Sequence, residues 1–273
     1  ALLAAAPDPI GTVHLTAGWA TFGQAVPEGF AFHGLQVGSF VTQTDVKNRW
    51  PDGSIKFAVI TANVLSESDY EITAAPLASG AVIAPPANVS VNLTIAGANP
   101  VAAIPLTPGD PWLDGPLVSE RRHVVAPVSS GGLAHQFLRV IFDTRRYTGG
   151  SMRADVTVEN VLNSPVATTL TYDVTINVKG APSFSRSNVE HFYLTRWRHV
   201  NAIGTFSSVT PDIASLHSTK AVPPYLNLVT NEVNNPTGAL FDILKQGALD
   251  NNMPAHGGRP ELAPYPDWTA RYL

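Results

Sequence analysis

The chain contains no cysteine, which excludes disulfides, thiolate metal sites and a cysteine nucleophile together. Charge is scarce as well: 14% of residues are Asp, Glu, Lys or Arg, against 44% hydrophobic. With a formal net charge of -4 and no basic run, there is no electrostatic footprint for a phosphate backbone, and no nucleic-acid partner is expected. Long apolar runs are missing too. The opening Ala1-Leu2-Leu3-Ala4-Ala5-Ala6 lacks a basic flank and an initiator Met, is too short to span a bilayer, and reads as a trimmed start. No membrane insertion is expected.

Several catalytic signatures are also lacking. The eight histidines show no His-x-His or His-x-x-x-His spacing and no Asp-x-Asp-x-Asp-Gly loop occurs, so neither a zinc nor a calcium site is expected. A Gly-x-Ser-x-Gly elbow is missing, and Gly131-Gly132 and Gly149-Gly150 read as hairpin glycines, since neither opens a helix after a strand as a phosphate loop must. No cofactor is expected.

What is present is β-forming sequence punctuated by turns. Two alternating arms flank Pro51-Asp52-Gly53, where Gly takes positive φ without steric cost and Asp bonds the turn backbone, so residues 45–60 read as a hairpin. Trp50 and Phe57 are expected to anchor the first sheet against a second. Strands are expected over 12–19, 36–50 (broken near Gly38), 54–62, 70–73 and 89–95. The Pro-rich segment 100–116 reads as a loop held down by Trp112. Residues 123–128, 136–143, 152–159 and 170–178 read as a four-stranded antiparallel meander. The fold class expected is mainly β, an antiparallel β-sandwich or closely related barrel over 7–182, divisible into blocks 7–98 and 117–182. A last strand at 191–200 and a short helical segment would fill 183–273. Thr210 would cap a helix with Pro211 at its first position. A second helix is expected over 238–249, and 266–273 looks like the start of a third, as if an α/α domain were cut off.

Three basic-aromatic clusters stand out: Arg121-Arg122-His123, Arg145-Arg146-Tyr147 and Arg196-Trp197-Arg198-His199. Guanidinium forks bind carboxylates in two places and aromatic faces stack on sugars, which points to an acidic polysaccharide; surface ion pairs and packing anchors are the plainer alternative. In His256-Gly257-Gly258-Arg259-Pro260-Glu261 the glycines permit close backbone approach, and His256, Arg259 and Glu261 offer acid, cation and base. Arg196, Trp197, Arg198, His256, Arg259 and Glu261 are therefore the candidate ligand-binding residues. No catalytic residue is assigned.

The stretch Asn48-Arg49-Trp50-Pro51-Asp52-Gly53-Ser54-Ile55-Lys56-Phe57-Ala58-Val59 resembles the N-terminal β-domain of rhamnogalacturonan exolyase-like proteins, a combination also found in large proteins of tailed phages. The upstream stretch Phe22–Gly29 is similar to the Pro-x-Gly loop of that domain, and Thr195-Arg196-Trp197-Arg198 and Gly257-Gly258-Arg259-Pro260-Glu261 with Pro266-Asp267-Trp268 are similar to the passage into the α/α toroid that usually follows it. Phe57 stands where that family commonly has Trp. The resemblance implies a non-catalytic β module of a larger virion tail or extracellular surface protein. Its partners would be other chains of an assembly or further copies of itself, and polysaccharide. The alternative it implies is an N-terminal accessory part of a polysaccharide lyase or glycosidase. An extracellular or virion location is expected on either reading.

Overall fold

The computed structural model describes residues 8–84, 88–95, 100–105, 108–162, 168–218 and 243–244. The chain divides into two units, Ala1–Pro211 and Asp212–Leu273. The first unit is built of antiparallel strands: β1 (Gly11–Leu15), β2 (Gly18–Ala25), β3 (Gly34–Val37), β4 (Thr42–Arg49), β5 (Ile55–Val64), β6 (Ser68–Ala75), β7 (Val89–Ile95), β8 (Val101–Ala103), β9 (Asp110–Asp114), β10 (Val118–Val125), β11 (Val128–Ser129), β12 (Leu138–Tyr147), β13 (Met152–Asn160), β14 (Leu170–Val178), β15 (Ala181–His191), β16 (Thr195–Ile203) and β17 (Val209–Pro211). They form four sheets, ordered β17-β1-β6-β3, β2-β5-β4, β11-β8-β7-β14-β15 and β16-β13-β12-β10-β9.

The alternation of apolar and polar residues has the expected consequence: one face of each sheet is buried and the other is wet. Val13 and Leu15 of β1, Leu35 and Val37 of β3 and Ile72 of β6 meet Ala20 of β2 and Ile55, Ala58, Ile60 and Ala62 of β5 in one core. A second layer pair follows in the chain. Val91, Leu93, Val174 and Ile176 on one sheet, and Val140, Phe142, Val156 and Val158 on the other, are all buried. The indole Nε1 of Trp197 in β16 donates to Tyr172 Oη in β14 at 2.7 Å, joining these two sheets through a buried hydrogen bond.

Alternate residues of β4 lock the two layer pairs together. Gln43 Oε1 accepts from the backbone N–H of Leu117 (2.8 Å) and of Val118 (2.9 Å), while its Nε2 donates to the Val118 carbonyl (3.1 Å). Asp45 Oδ1 accepts from Asp114 N–H at 2.9 Å. A Cβ on Gly115 would lie 2.4 Å from the Gln43 amide and would push it off these bonds. Beside this comb, Trp19, Val59, Leu113, Val118 and Tyr147 form a separate apolar cluster. The chain then returns to its start: Trp19 N–H donates to Thr205 O (3.0 Å), and β17 pairs with β1 at Val13↔Pro211 through Leu15↔Val209.

The Trp50 hairpin forms as expected. Gly53 has φ +86°, and Asp52 Oδ1 accepts from Ser54 N–H (2.9 Å) and Ser54 Oγ–H (2.6 Å). Phe57 does not anchor one sheet against another: it is 38% exposed, its ring lying over Gly23, where a Cβ would meet it at 2.6 Å.

Other expectations need correction. The first expected strand is two, β1 and β2, whereas the break expected near Gly38 in the 36–50 strand is present, between β3 and β4. Segment 100–116 contributes β8 and β9, because Pro111 sits in an edge strand, where a missing N–H costs nothing. The four-stranded meander does not close: β13 pairs with β16, and β14 joins β7 in the other sheet. Period-two alternation is the same whichever sheet a strand enters, so it could not distinguish them. β15, unforeseen, pairs with β14, and the β body runs to Pro211 rather than 182. Thr210 and Pro211 belong to β17, not to a helix cap; in the second unit a helix, α1, spans only Ile213–Ser218. Of the helix expected over 238–249 only residues 243–244 are described, and they form a turn, with Leu244 at φ +56°; the helix expected over 266–273 lies outside the described residues.

Candidate ligand-binding face

The outward side of the β16-β13-β12-β10-β9 sheet is a lattice of charge. Register sets Glu120 opposite Arg145, Arg122 opposite Asp143, Arg139 opposite Glu159 and Glu159 opposite Arg196. Arg122 forks onto Asp143, with Nε to Oδ1 at 2.7 Å and Nη2 to Oδ2 at 2.8 Å. Arg145 Nε donates to Glu120 Oε2 at 2.7 Å. Arg198 forks onto Asp155, and Arg139 donates to Glu159, whose other oxygen lies 3.8 Å from Arg196. Such pairs staple neighbouring strands, each adding at most about 1 kcal/mol where solvent screens it.

Two cross-strand positions break the pattern. Asp155 faces Asp143, and Arg153 faces Arg145. Like charges in direct opposition are destabilising unless something else neutralises them. Asp143, Asp155 and Arg145 each have an opposite charge from a further strand. Among the described residues Arg153, half-buried, has no ion-pair partner, and neither does the exposed Asp110.

These side chains line a depression of about 400 Å³ together with Trp112, a size that suits a small ligand or a short stretch of a polymer. Trp112 is 49% exposed. Lys47, from β4, caps its ring at 4.1 Å and also donates to its carbonyl. Burial pushes the Lys47 ammonium below its ordinary value, against the opposing pull of Asp45 and Glu120. The arrangement offers one unpaired guanidinium for a carboxylate, an indole face for a ring and Asp110 for hydroxyl groups.

The three basic clusters recognised in the sequence thus converge: Arg122, Arg145 and Arg198 line the same depression. Arg196 lies on the same face at its Glu159 end, 73% exposed. Trp197 points the other way. It is 4% exposed and hydrogen-bonded to Tyr172, so it holds the core together and offers no face to a ligand. His256, Arg259 and Glu261 lie outside the described residues. Arg153, Trp112 and Asp110 were missed. Arg153 and Asp155, with Thr157 and Glu159, alternate with apolar residues along β13, and that alternation alone marks them as outward-facing.

Among the described residues no group of three or more His, Asp or Glu is placed to hold a metal ion. Comparisons with protein-family models, with curated proteins and with solved structures find no match to this chain.

Proposed function

We propose that this chain is a non-catalytic β module of a larger virion-tail or extracellular surface protein, and that it contacts acidic polysaccharide through the depression around Arg153. The observation that carries the reading is Arg153 itself: a half-buried guanidinium facing another arginine, without a carboxylate of its own, beside an exposed indole. A uronate supplied by a ligand would neutralise it and stack a sugar ring nearby. The acids Glu120, Asp143 and Asp155 are each engaged by an arginine, an arrangement suited to recognition rather than proton transfer.

The test is binding of the intact chain to a panel of neutral and uronate-containing polysaccharides, with Arg153→Gln and Trp112→Ala as variants. Each substitution should weaken uronate binding by roughly 10-fold or more, as loss of a charge-assisted bond or a stacking face does. Thermal stability should be unchanged or slightly raised in Arg153→Gln, because a like-charge opposition disappears. Binding that survives both variants, or no binding across the panel, would overturn the proposal.

The accessory-domain reading keeps one specific support. The Trp50-Pro51-Asp52-Gly53-Ser54 hairpin that carries the resemblance is firmly built, with Gly29 N–H bound to Ser54 Oγ at 2.9 Å. On that reading a protein continuing past Leu273 releases unsaturated uronate, detected by its ultraviolet absorbance.

A further inference from the structure

Between β10 and β12 the chain makes an excursion that ties the two sheets of the second layer pair together. Val128 and Ser129 form β11, which pairs with Ala102 and Val101 and so covers the edge of β8. The segment folds back on itself: Ser129 N–H donates to Leu133 O (2.9 Å), Gly132 N–H to Ser129 O (2.9 Å) and His135 N–H to Pro127 O (2.8 Å). Only two residues pair with β8, and Leu133 is 77% exposed, so the flap has little apolar burial to hold it.

What holds its root is an imidazole. His135 Nδ1 accepts hydrogen bonds from the backbone N–H of Phe137 (3.2 Å) and of Leu138 (3.1 Å), where β12 begins. The ring packs edge-on to Phe137 with centroids 6.0 Å apart. Two donors aimed at one nitrogen require a lone pair there, which assigns the neutral ring with its proton on Nε2. A protonated imidazole carries N–H groups at both positions and would turn a third donor toward the two amides.

We propose that His135 is an acid-released latch, which holds the flap of residues 127–135 on the edge of β8 while neutral and lets it go when protonated. Among the described residues no carboxylate is bonded to the ring or raises its proton affinity. Burial lowers the proton affinity of His135 with no charge opposing it, and Arg139, the residue after Leu138 on β12, is itself paired with Glu159 of β13. Release would bare the β8 edge at Val101–Ala103, unpaired backbone of the kind that accepts an added strand.

Hydrogen exchange on the full chain tests this, with intrinsic rates divided out at each pH. Protection of the Phe137 and Leu138 amides should fall at least tenfold between pH 7.5 and 5 in the wild type. In His135→Asn, Oδ1 takes the place of Nδ1 and does not titrate, so protection should be the same at both pH values. His135→Leu should leave both amides unprotected throughout. Protection that persists at pH 5 in the wild type, or the same fall in His135→Asn, would overturn the proposal. Nitrogen chemical shifts of the wild-type ring provide a check that needs no variant, because a proton found on Nδ1 at pH 7.5 would also overturn it.

Discussion

Trp50 is half-buried at the base of its turn, its Nε1 bound to the Val26 carbonyl at 2.8 Å and its ring 4.4 Å from Lys56 Nζ. It therefore pins the chain that leaves β2 at Val26 to the hairpin, a structural role consistent with the bonds of Ser54 to Asp52 and to Gly29. Trp50→Ala should lower stability by about 2 kcal/mol, less than a fully buried tryptophan would, and urea unfolding measures it. Arg153 shows the converse case. Alternation puts it on the outward face but does not show that it lacks a carboxylate, because its distinction is what lies across the strand pair, and cross-strand register is set by partners far away in the chain. Trp112 was hidden for a related reason: proline-rich surroundings suggested a loop, whereas an edge strand presents its indole outward.

At the scale of elements, the strands whose alternation runs uninterrupted between turn residues were legible: β7 and β14 fall where periodicity places them, and the hairpin joining β4 to β5 forms around Asp52-Gly53. Which strands share a sheet was not legible, and so neither was the convergence of three arginine clusters on one face. The comb from β4 was equally invisible, since a buried Gln reads in sequence like a surface Gln. Gln43 is 3% exposed and satisfies three backbone groups of Leu117 and Val118. Gln43→Ala would remove the partner of the Leu117 and Val118 N–H groups, while the Val118 carbonyl keeps its bond from Gly115 N–H (3.2 Å), and should cost about 3 kcal/mol in denaturant unfolding. A loss under about 1 kcal/mol would mean that water or a shifted backbone takes its place.

For the whole molecule, pH dependence follows from where the histidines lie. Burial lowers His135, His191 and His199 from their ordinary value of 6.5, partly offset in His191 by its bond to the Thr195 carbonyl. Unfolding lets each take up a proton more readily, so their contribution is whole above about 6.5 and is lost as pH falls from there through the lowered values. His14 runs oppositely. Its bond to Asp69 raises it, burial opposes and Glu67 adds to the rise, so its contribution is present below 6.5 and lost as pH climbs through the raised value. Because His14 is exposed and its partners are screened, the buried rings should dominate. The thermal midpoint should decline between pH 7 and 5, and His135→Asn should remove part of that decline. A midpoint that rises on acidification would mean that His14 outweighs them.

The pairing of β17 with β1 has a mechanical consequence. Because the two strands are antiparallel and meet at Val13↔Pro211, the polypeptide enters and leaves the β body at the same end of one strand pair. Tension applied at the two ends would therefore open that pair bond by bond, like a zipper, while β1 stays held by its pairing with β6 and by Val13 and Leu15 in the first core. A body attached in this way hangs from the line of force, and the geometry of its charged face would be preserved under strain.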